Sequence, residues 1–246
     1  LKPVALYTDH DISQRVCEAW GDRKHVREGL DARDPIVYGV LRGCGEIIRL
    51  CEALNRDWWH IDNGYFRPGH FDGYYRVTLN GFQATEPFEC PPDRFEKLGT
   101  VMEPWRKLGS HVLIVPPSPG RAVWYGFRGE DWVSCTINDI RRSTDRKIAV
   151  KTGPKGNMQQ ALENAWCVVT FDSQSATHAL REGVPCIVTG EHIAESVSWD
   201  FPDIESPKWP ERDPWAHWVA YNQFTLDEMR SGEAWNLLKS TAGGIR

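Results

Sequence analysis

The sequence predicts an α/β protein with parallel sheets, folded as two halves. Three observations lead there. Apolar runs of strand length alternate along the chain with amphipathic patterns of helical period. The runs end in Gly, Pro, Ser or Asp, the residues that turn a strand toward a helix. The length, 246 residues, suits one large domain or two small ones at ~100–200 residues each, enough to bury a core without staples.

In the first half, Pro3-Val4-Ala5-Leu6-Tyr7-Thr8 is an apolar run ending at Asp9-His10, and a polar helix is expected from Ile12 to about Arg23. Pro35–Val40 predicts a second strand, running into Arg42-Gly43-Cys44-Gly45. Ile47, Ile48, Cys51 and Leu54 then recur at helical spacing. Trp58–Asp62 predicts a third strand, Asn63–Gly69 a loop by its Gly and Pro content, and Tyr74–Leu79 a further strand. Glu86–Pro104, rich in proline and charge, reads as a linker.

The second half is cleaner. His111–Val115 is a buried strand ended by Pro116-Pro117-Ser118-Pro119-Gly120. A helix follows from about Asp131 to Ser143, with Val133, Ile137 and Ile140 on its buried face. Lys147–Lys151 is a strand, Met158–Ala165 a helix, and Cys167–Phe171 a strand. Asp172-Ser173-Gln174-Ser175 forms the turn, and Ala176–Glu182 a short helix stopped by Gly183. Pro185–Val188 is the last clear strand. Ser198–Trp218 reads as irregular. A closing helix spans Thr225–Lys239, with Thr225 as N-cap, Glu228 three residues on, and Trp235 and Leu238 as anchors. Two Rossmann-like domains result, 1–108 and 109–246, the last helix expected to pack back on the first. In such domains ligands bind where the C-terminal ends of the strands face a cleft.

Composition excludes several classes. Hydrophobic residues make up 41% and charged residues 26%, with a net charge of −5, which is an ordinary globular balance. No run approaches the ~18–20 apolar residues of a membrane helix, and no signal-peptide pattern opens the chain. Seven cysteines, without a CxxC pair and mostly inside apolar patterns, predict reduced, buried, structural thiols, a reducing cytoplasm and no zinc site. Twelve tryptophans are the unusual number; most are expected in the core.

Several groups of residues could carry chemistry. The strand and Ser turn at 167–175 put hydroxyls at a helix start, a seat for phosphate unless Ser173 or Ser175 merely caps the helix. Residues 141–155 hold six Lys or Arg against Asp145 alone. Lys151 and Lys155 lie at a strand's C-terminal end, where phosphate would sit, while Arg141 and Arg142 read as a solvated helix end. In the first half Asp62 follows a strand and precedes a Gly-bearing loop, Asp9 and His10 end the first strand, and Asp72 is a weaker choice. Arg42, Tyr65 and Arg76 provide a basic and aromatic surroundings for an acceptor, although packing accounts equally well for the tyrosines.

The segment Asn164–Val188, with its strand, Ser turn and Ala179-Leu180-Arg181-Glu182-Gly183-Val184-Pro185-Cys186-Ile187-Val188, resembles the C-terminal half of GT-B glycosyltransferases. The likeness is to capsule-polysaccharide and phage-type, DNA-modifying members and covers about Val112–Gly190. One departure stands out: Lys151-Thr152-Gly153-Pro154-Lys155 replaces the usual Arg-x-His-Pro. Lysine can still neutralise phosphate, without arginine's fork. The resemblance implies a nucleotide-sugar donor on the second half, held by Ser118, Gly120, Lys151, Lys155, Ser173, Gln174, Ser175 and Glu191. It implies an acceptor on the first half, with Asp62 or the Asp9/His10 pair as the catalytic base and Arg42, Tyr65 and Arg76 as contacts. No cofactor beyond the donor and no metal is implied. The acceptor expected is a 5-hydroxymethylpyrimidine in double-stranded DNA, on the basic cluster at 141–155 and the Arg and aromatic loop at 65–76 and against the net charge of −5, with a capsular or surface glycan as the alternative. A sugar-nucleotide epimerase and a non-catalytic nucleotide- or glycan-binding protein are the alternatives. Sugar identity, stereochemical course and oligomeric state stay open.

Overall fold

The computed structural model describes residues 3–6, 16, 18–19, 22–25, 34–41, 43–69, 72–151 and 157–241. The chain forms two compact units. One comprises Leu1–Leu98 and His217–Arg246, the other Gly99–Ala216. The second unit thus begins at Gly99 rather than at 109, and the C-terminal stretch belongs to the first.

In the first unit, β1 (Pro3–Leu6), β2 (Asp22–His25), β3 (Asp34–Tyr38) and β4 (Trp59–Asn63) are parallel neighbours. Helix α1 (Cys44–Ala53) follows β3 after Gly43, whose φ of 84° needs a residue without Cβ. The β2 strand lies where the expected helix would have ended. The following strand, β5 (Tyr75–Leu79), runs antiparallel to β4, because the loop between them folds straight back. Helix α2 (Asp93–Leu98) interrupts the segment expected to be a linker.

The second unit holds a four-stranded parallel sheet. Its elements are β6 (His111–Val115), α3 (Pro119–Trp124), α4 (Gly129–Ser143), β7 (Lys147–Val150), α5 (Met158–Ala161), β8 (Ala165–Thr170), α6 (Ser175–Arg181) and β9 (Cys186–Val188). The strand order is β7-β6-β8-β9. Two short 3-10 turns follow, Glu195–Val197 and Phe201–Ile204. The core packs Val112, Ile114, Cys167, Val169 and Ile187 of the sheet against Ile140, Trp166, Trp199 and Ile204.

The Trp- and Pro-rich stretch expected to be irregular is tied down here. Trp199 donates its indole N–H to the Lys208 carbonyl at 2.6 Å, and Trp166 donates to Ile204 at 2.7 Å. Trp166, Trp199 and Trp209 meet edge to face. Arg146 lies over the Trp166 ring at 4.4 Å and pairs with Glu205 at 2.9 Å.

Helix α7 (Asp213–Tyr221) spans the division between the units in sequence. In the first unit the chain continues as β10 (Gln223–Phe224), α8 (Leu226–Ser231) and α9 (Glu233–Thr241). β10 adds antiparallel to β5, completing the order β10-β5-β4-β3-β1-β2. The single closing helix expected is two, broken at Gly232 with φ 81°; the capping box of Thr225 and Glu228 is present. Phe224, Leu226, Met229, Ala234 and Leu238 are buried with Ile36, Trp59, Ile61, Tyr75 and Val77. Trp235 meets Trp59 edge to face at 5.2 Å.

None of the six described cysteines is joined in a disulfide. Cys44, Cys51, Cys167 and Cys186 are buried, but Cys90 is half-buried and Cys135 exposed, which corrects the expectation of uniformly buried thiols. Among the described residues no helix is long and apolar enough to cross a membrane.

Candidate functional site

In the second unit the C-terminal ends of β6, β8 and β9 converge. Thr170 at the end of β8 donates its hydroxyl to the Val115 carbonyl at the end of β6, 2.8 Å away. Directly after β8, Asp172 is buried and ion-paired with Arg121 of α3 at 3.3 Å. The Arg121 side chain is 11% exposed and that of Asp172 4%. A charge pair taken this far from water at strand ends is costly to maintain, and such costs are concentrated at functional sites.

The Ser turn closes largely on itself. Ser173 Oγ accepts the Ser175 N–H at 3.2 Å, and the Ser173 carbonyl accepts from Ala176 at 3.1 Å. Ser173 therefore caps the start of α6, while the Ser175 hydroxyl is buried without a hydrogen-bond partner among the described residues. Gln174 precedes α6 with helical backbone and no side-chain cap. Buried His192 links β9 to this turn. Its Nδ1 accepts the Ala194 N–H at 3.0 Å, so Nε2 carries the proton and donates to the Ser173 carbonyl at 3.1 Å. Glu191 beside it is exposed.

Ser118 is the N-cap of α3, its hydroxyl accepting the Arg121 N–H at 3.3 Å, and Gly120 lies in the first turn of that helix. Lys151 extends β7, its N–H donating to the Ile114 carbonyl at 2.9 Å. Lys155 lies outside the described residues. Within the basic run Arg141 donates to the Thr144 and Arg146 carbonyls and Arg146 pairs with Glu205, while Arg142, 78% exposed, pairs with Asp139 at the surface, as a solvated helix end does.

In the first unit the alternation along β4 and β5 produces two unlike faces. Trp59 and Ile61 pair with Leu79 and Val77 on one, packing into the core. His60 and Asp62 pair with Thr78 and Arg76 on the other. This second face is polar yet buried, which is the informative case. Asp62 alone opens to solvent, its side chain 24% exposed. One carboxylate oxygen accepts from Arg76 at 2.9 Å and the other from the Asn63 N–H at 2.8 Å. His60 Nε2 lies 3.9 Å from Asp62, and Nδ1 lies 3.4 Å from the Thr78 hydroxyl, which donates to Gly81.

Tyr65 is buried beneath the Arg76 guanidinium, 5.3 Å from ring centroid to carbon, and its hydroxyl accepts from Ala84. Burial pushes the Tyr65 phenol up, against the pull of Arg76. Tyr65 and Arg76 thus shape the surroundings of Asp62 from inside. Asp72 is exposed. Asp9, His10 and Arg42 lie outside the described residues.

Sequence reasoning passed over His60, Arg121 and Asp172. The alternation Trp59-His60-Ile61-Asp62 already places His60 on the face of Asp62. Asp172 had a signal as well, an acid directly after a wholly apolar strand. Nothing in the sequence couples it to Arg121. Among the described residues no group of three or more His, Cys, Asp or Glu side chains is placed to hold a metal ion.

No protein-family model matches the chain, and no curated protein matches it. Among solved structures it is similar to KpsC of Thermosulfurimonas dismutans, described as a beta Kdo 2,4 transferase. The TM-score is 0.56 at 10% sequence identity, covering 90% of this chain and 91% of that one. At this identity the likeness is one of fold.

Proposed function

We propose that the chain is a glycosyltransferase moving a sugar from a nucleotide-sugar donor to a hydroxyl acceptor. The observation that carries the reading is the fold likeness, over nearly the whole of both chains, to a beta Kdo 2,4 transferase. The buried ion pair at the strand ends of the second unit and the buried polar face of the first support it. The GT-B-like arrangement of two Rossmann-like domains facing a cleft belongs to this proposal.

The donor is assigned to the second unit. Arg121, Lys151 and Lys155 supply positive charge for its phosphates, and Ser118, Gly120, Ser173, Gln174, Ser175 and Glu191 surround it. Preorganised cations and hydroxyls stabilise the charge that develops on a departing nucleotide. The acceptor is assigned to the first unit, where Asp62 takes the proton of the attacking hydroxyl. Arg76 orients this carboxylate through the 2.9 Å ion pair. Asp9 and His10 are the competing base, and Arg42 a further acceptor contact.

A glycan hydroxyl is the favoured acceptor. The net charge of −5 and the pairing of Arg146 with Glu205 weigh against duplex DNA. The test is a donor screen with UDP-, GDP-, ADP- and CMP-sugars, with glycan acceptors and with DNA carrying hydroxymethylpyrimidines. Nucleotide release with a sugar-sized mass gain on a glycan supports the reading. The same gain on a base moves the acceptor to DNA. Absence of release and of binding with every donor overturns it.

A further inference from the structure

We propose that Tyr125, Phe127, Trp132 and Phe171 form a stacking platform for the heterocyclic base of a nucleotide, an inference that rests on the donor reading above. Helix α3 closes in a Schellman turn. The Phe127 N–H returns to the Ala122 carbonyl at 3.0 Å and the Gly126 N–H to Val123 at 3.1 Å. Gly126 sits between them with φ 75°, a conformation open to glycine. The turn leaves the Tyr125 and Phe127 rings nearly parallel, 17° apart with centroids at 6.3 Å. Each stands against Phe171 at a steep angle, at 4.8 and 5.0 Å.

The other side of the cluster is equally fixed. Trp132 meets Phe171 at 6.5 Å and donates its indole N–H to the Thr189 hydroxyl at 3.1 Å. A Cβ at Gly190 would lie 2.9 Å from the Phe171 ring, so only glycine leaves that ring its place. Phe171 and Thr189–Gly190 are the residues directly after β8 and β9, the edge of a parallel sheet where ligands bind.

Trp132 also packs against the core of its unit, but core packing leaves Tyr125, Phe127 and Phe171 partly open. Trp166 and Trp199 in the same unit are 6% and 2% exposed, whereas Tyr125 is 36% exposed and Phe127, Trp132 and Phe171 are only half-buried. Rings already locked by one another lose little freedom when a flat partner settles on them. Phe171 lies two residues before Ser173, at most ~7 Å of chain, which suits a base seated beside the phosphates of one nucleotide. Stacking tolerates any base, so discrimination among bases is expected to be weak.

The test is calorimetric titration of the full chain with UDP, CDP, GDP and ADP, and with ribose 5-phosphate and pyrophosphate as probes without a base. The nucleotides are expected to bind at least ~10-fold more tightly than ribose 5-phosphate, with similar affinities for the four bases. Phe127→Leu, which keeps an apolar side chain but loses the π face, is expected to lower nucleotide affinity ~10-fold and leave ribose 5-phosphate unchanged. Phe127→Tyr is expected to retain binding. Gly126→Ala meets no neighbour and strains only the turn, and is expected to weaken nucleotides selectively. Nucleotide binding indifferent to Phe127→Leu and Gly126→Ala overturns the platform and leaves the donor reading standing. No nucleotide binding at all overturns both.

Discussion

Asp62 and Arg76 face each other across the β4–β5 ladder, 2.9 Å apart, on the one face of that strand pair that is polar and buried. Asp62→Asn keeps the shape and removes the charge. Transfer is expected to fall about 10²–10⁴-fold in kcat with donor KM little changed, as for loss of a positioned acid–base group. Asp9→Asn and His10→Ala, assayed beside it, decide between the candidate bases. Arg76→Ala leaves Asp62 without its cation and is expected to cost about 3–5 kcal/mol of stability, read by denaturant unfolding of the first unit.

The second unit was the more legible half because its signals are local. A run such as Cys167-Val168-Val169 is apolar at every position, as a strand buried on both faces must be. Gly183 stops α6 because a left-handed φ favours glycine. By contrast β2 is Asp22-Arg23-Lys24-His25, a polar tetrapeptide that is a strand through its pairing with β1. Helix α3 was hidden in a Pro-Gly segment that reads as loop, since proline fits a helix's first turn as well as a turn. Arg121 and Asp172 lie on different elements, and no spacing rule joins them. The alternation that places His60 on the face of Asp62, and the acid Asp172 that follows an apolar strand, were both visible and unread.

Gly183 also carries a packing constraint. Its φ is 74°, and a Cβ there would press on the Pro104 carbonyl oxygen. The Gly183 carbonyl itself accepts from Arg106 at 2.7 Å, so the Glu103–Arg106 segment cannot withdraw freely. Gly183→Ala is expected to destabilise the second unit by more than the ~1–2 kcal/mol of the left-handed backbone alone. Gly183→Asn, which tolerates that backbone, should recover little, because the clash persists. Thermal unfolding of the two variants separates the contributions.

Glu228 predicts an acid-sensitive contact in the first unit. Burial would raise its carboxyl, but the Thr225 N–H and the Arg94 guanidinium at 3.0 Å outweigh this and hold it below the usual range. A depressed folded pKa contributes stability above the unfolded value of about 4.3, which is lost as pH falls through the folded value. Glu228→Gln is therefore expected to be less stable by about 1–3 kcal/mol at pH 7, with the difference closing toward about pH 3. Urea midpoints across that range check it.

Duplex DNA is expected to bind weakly and with a shallow salt dependence. Each phosphate neutralised contributes about −0.9 to the slope of log K against log salt. With a net charge of −5 and Arg146 held by Glu205, a slope shallower than about −3 is expected between 50 and 200 mM salt, by fluorescence anisotropy. A slope steeper than about −5 would return DNA to the front of the acceptor candidates.

The Arg121–Asp172 pair separates stability from function. Removing one partner of a buried pair leaves an uncompensated charge, so Asp172→Leu or Arg121→Met alone should cost about 3–5 kcal/mol. Replacing both with apolar side chains of similar size removes that charge and is often neutral, so the double variant should regain most of the loss. If the pair only holds α3 against the end of β8, donor affinity returns with stability. If Arg121 receives the donor's phosphates, the double variant is stable and still binds at least ~10-fold more weakly, because methionine supplies packing and no charge. Unfolding and donor titration on the same four proteins, wild type, two singles and the double, form the cycle that decides it.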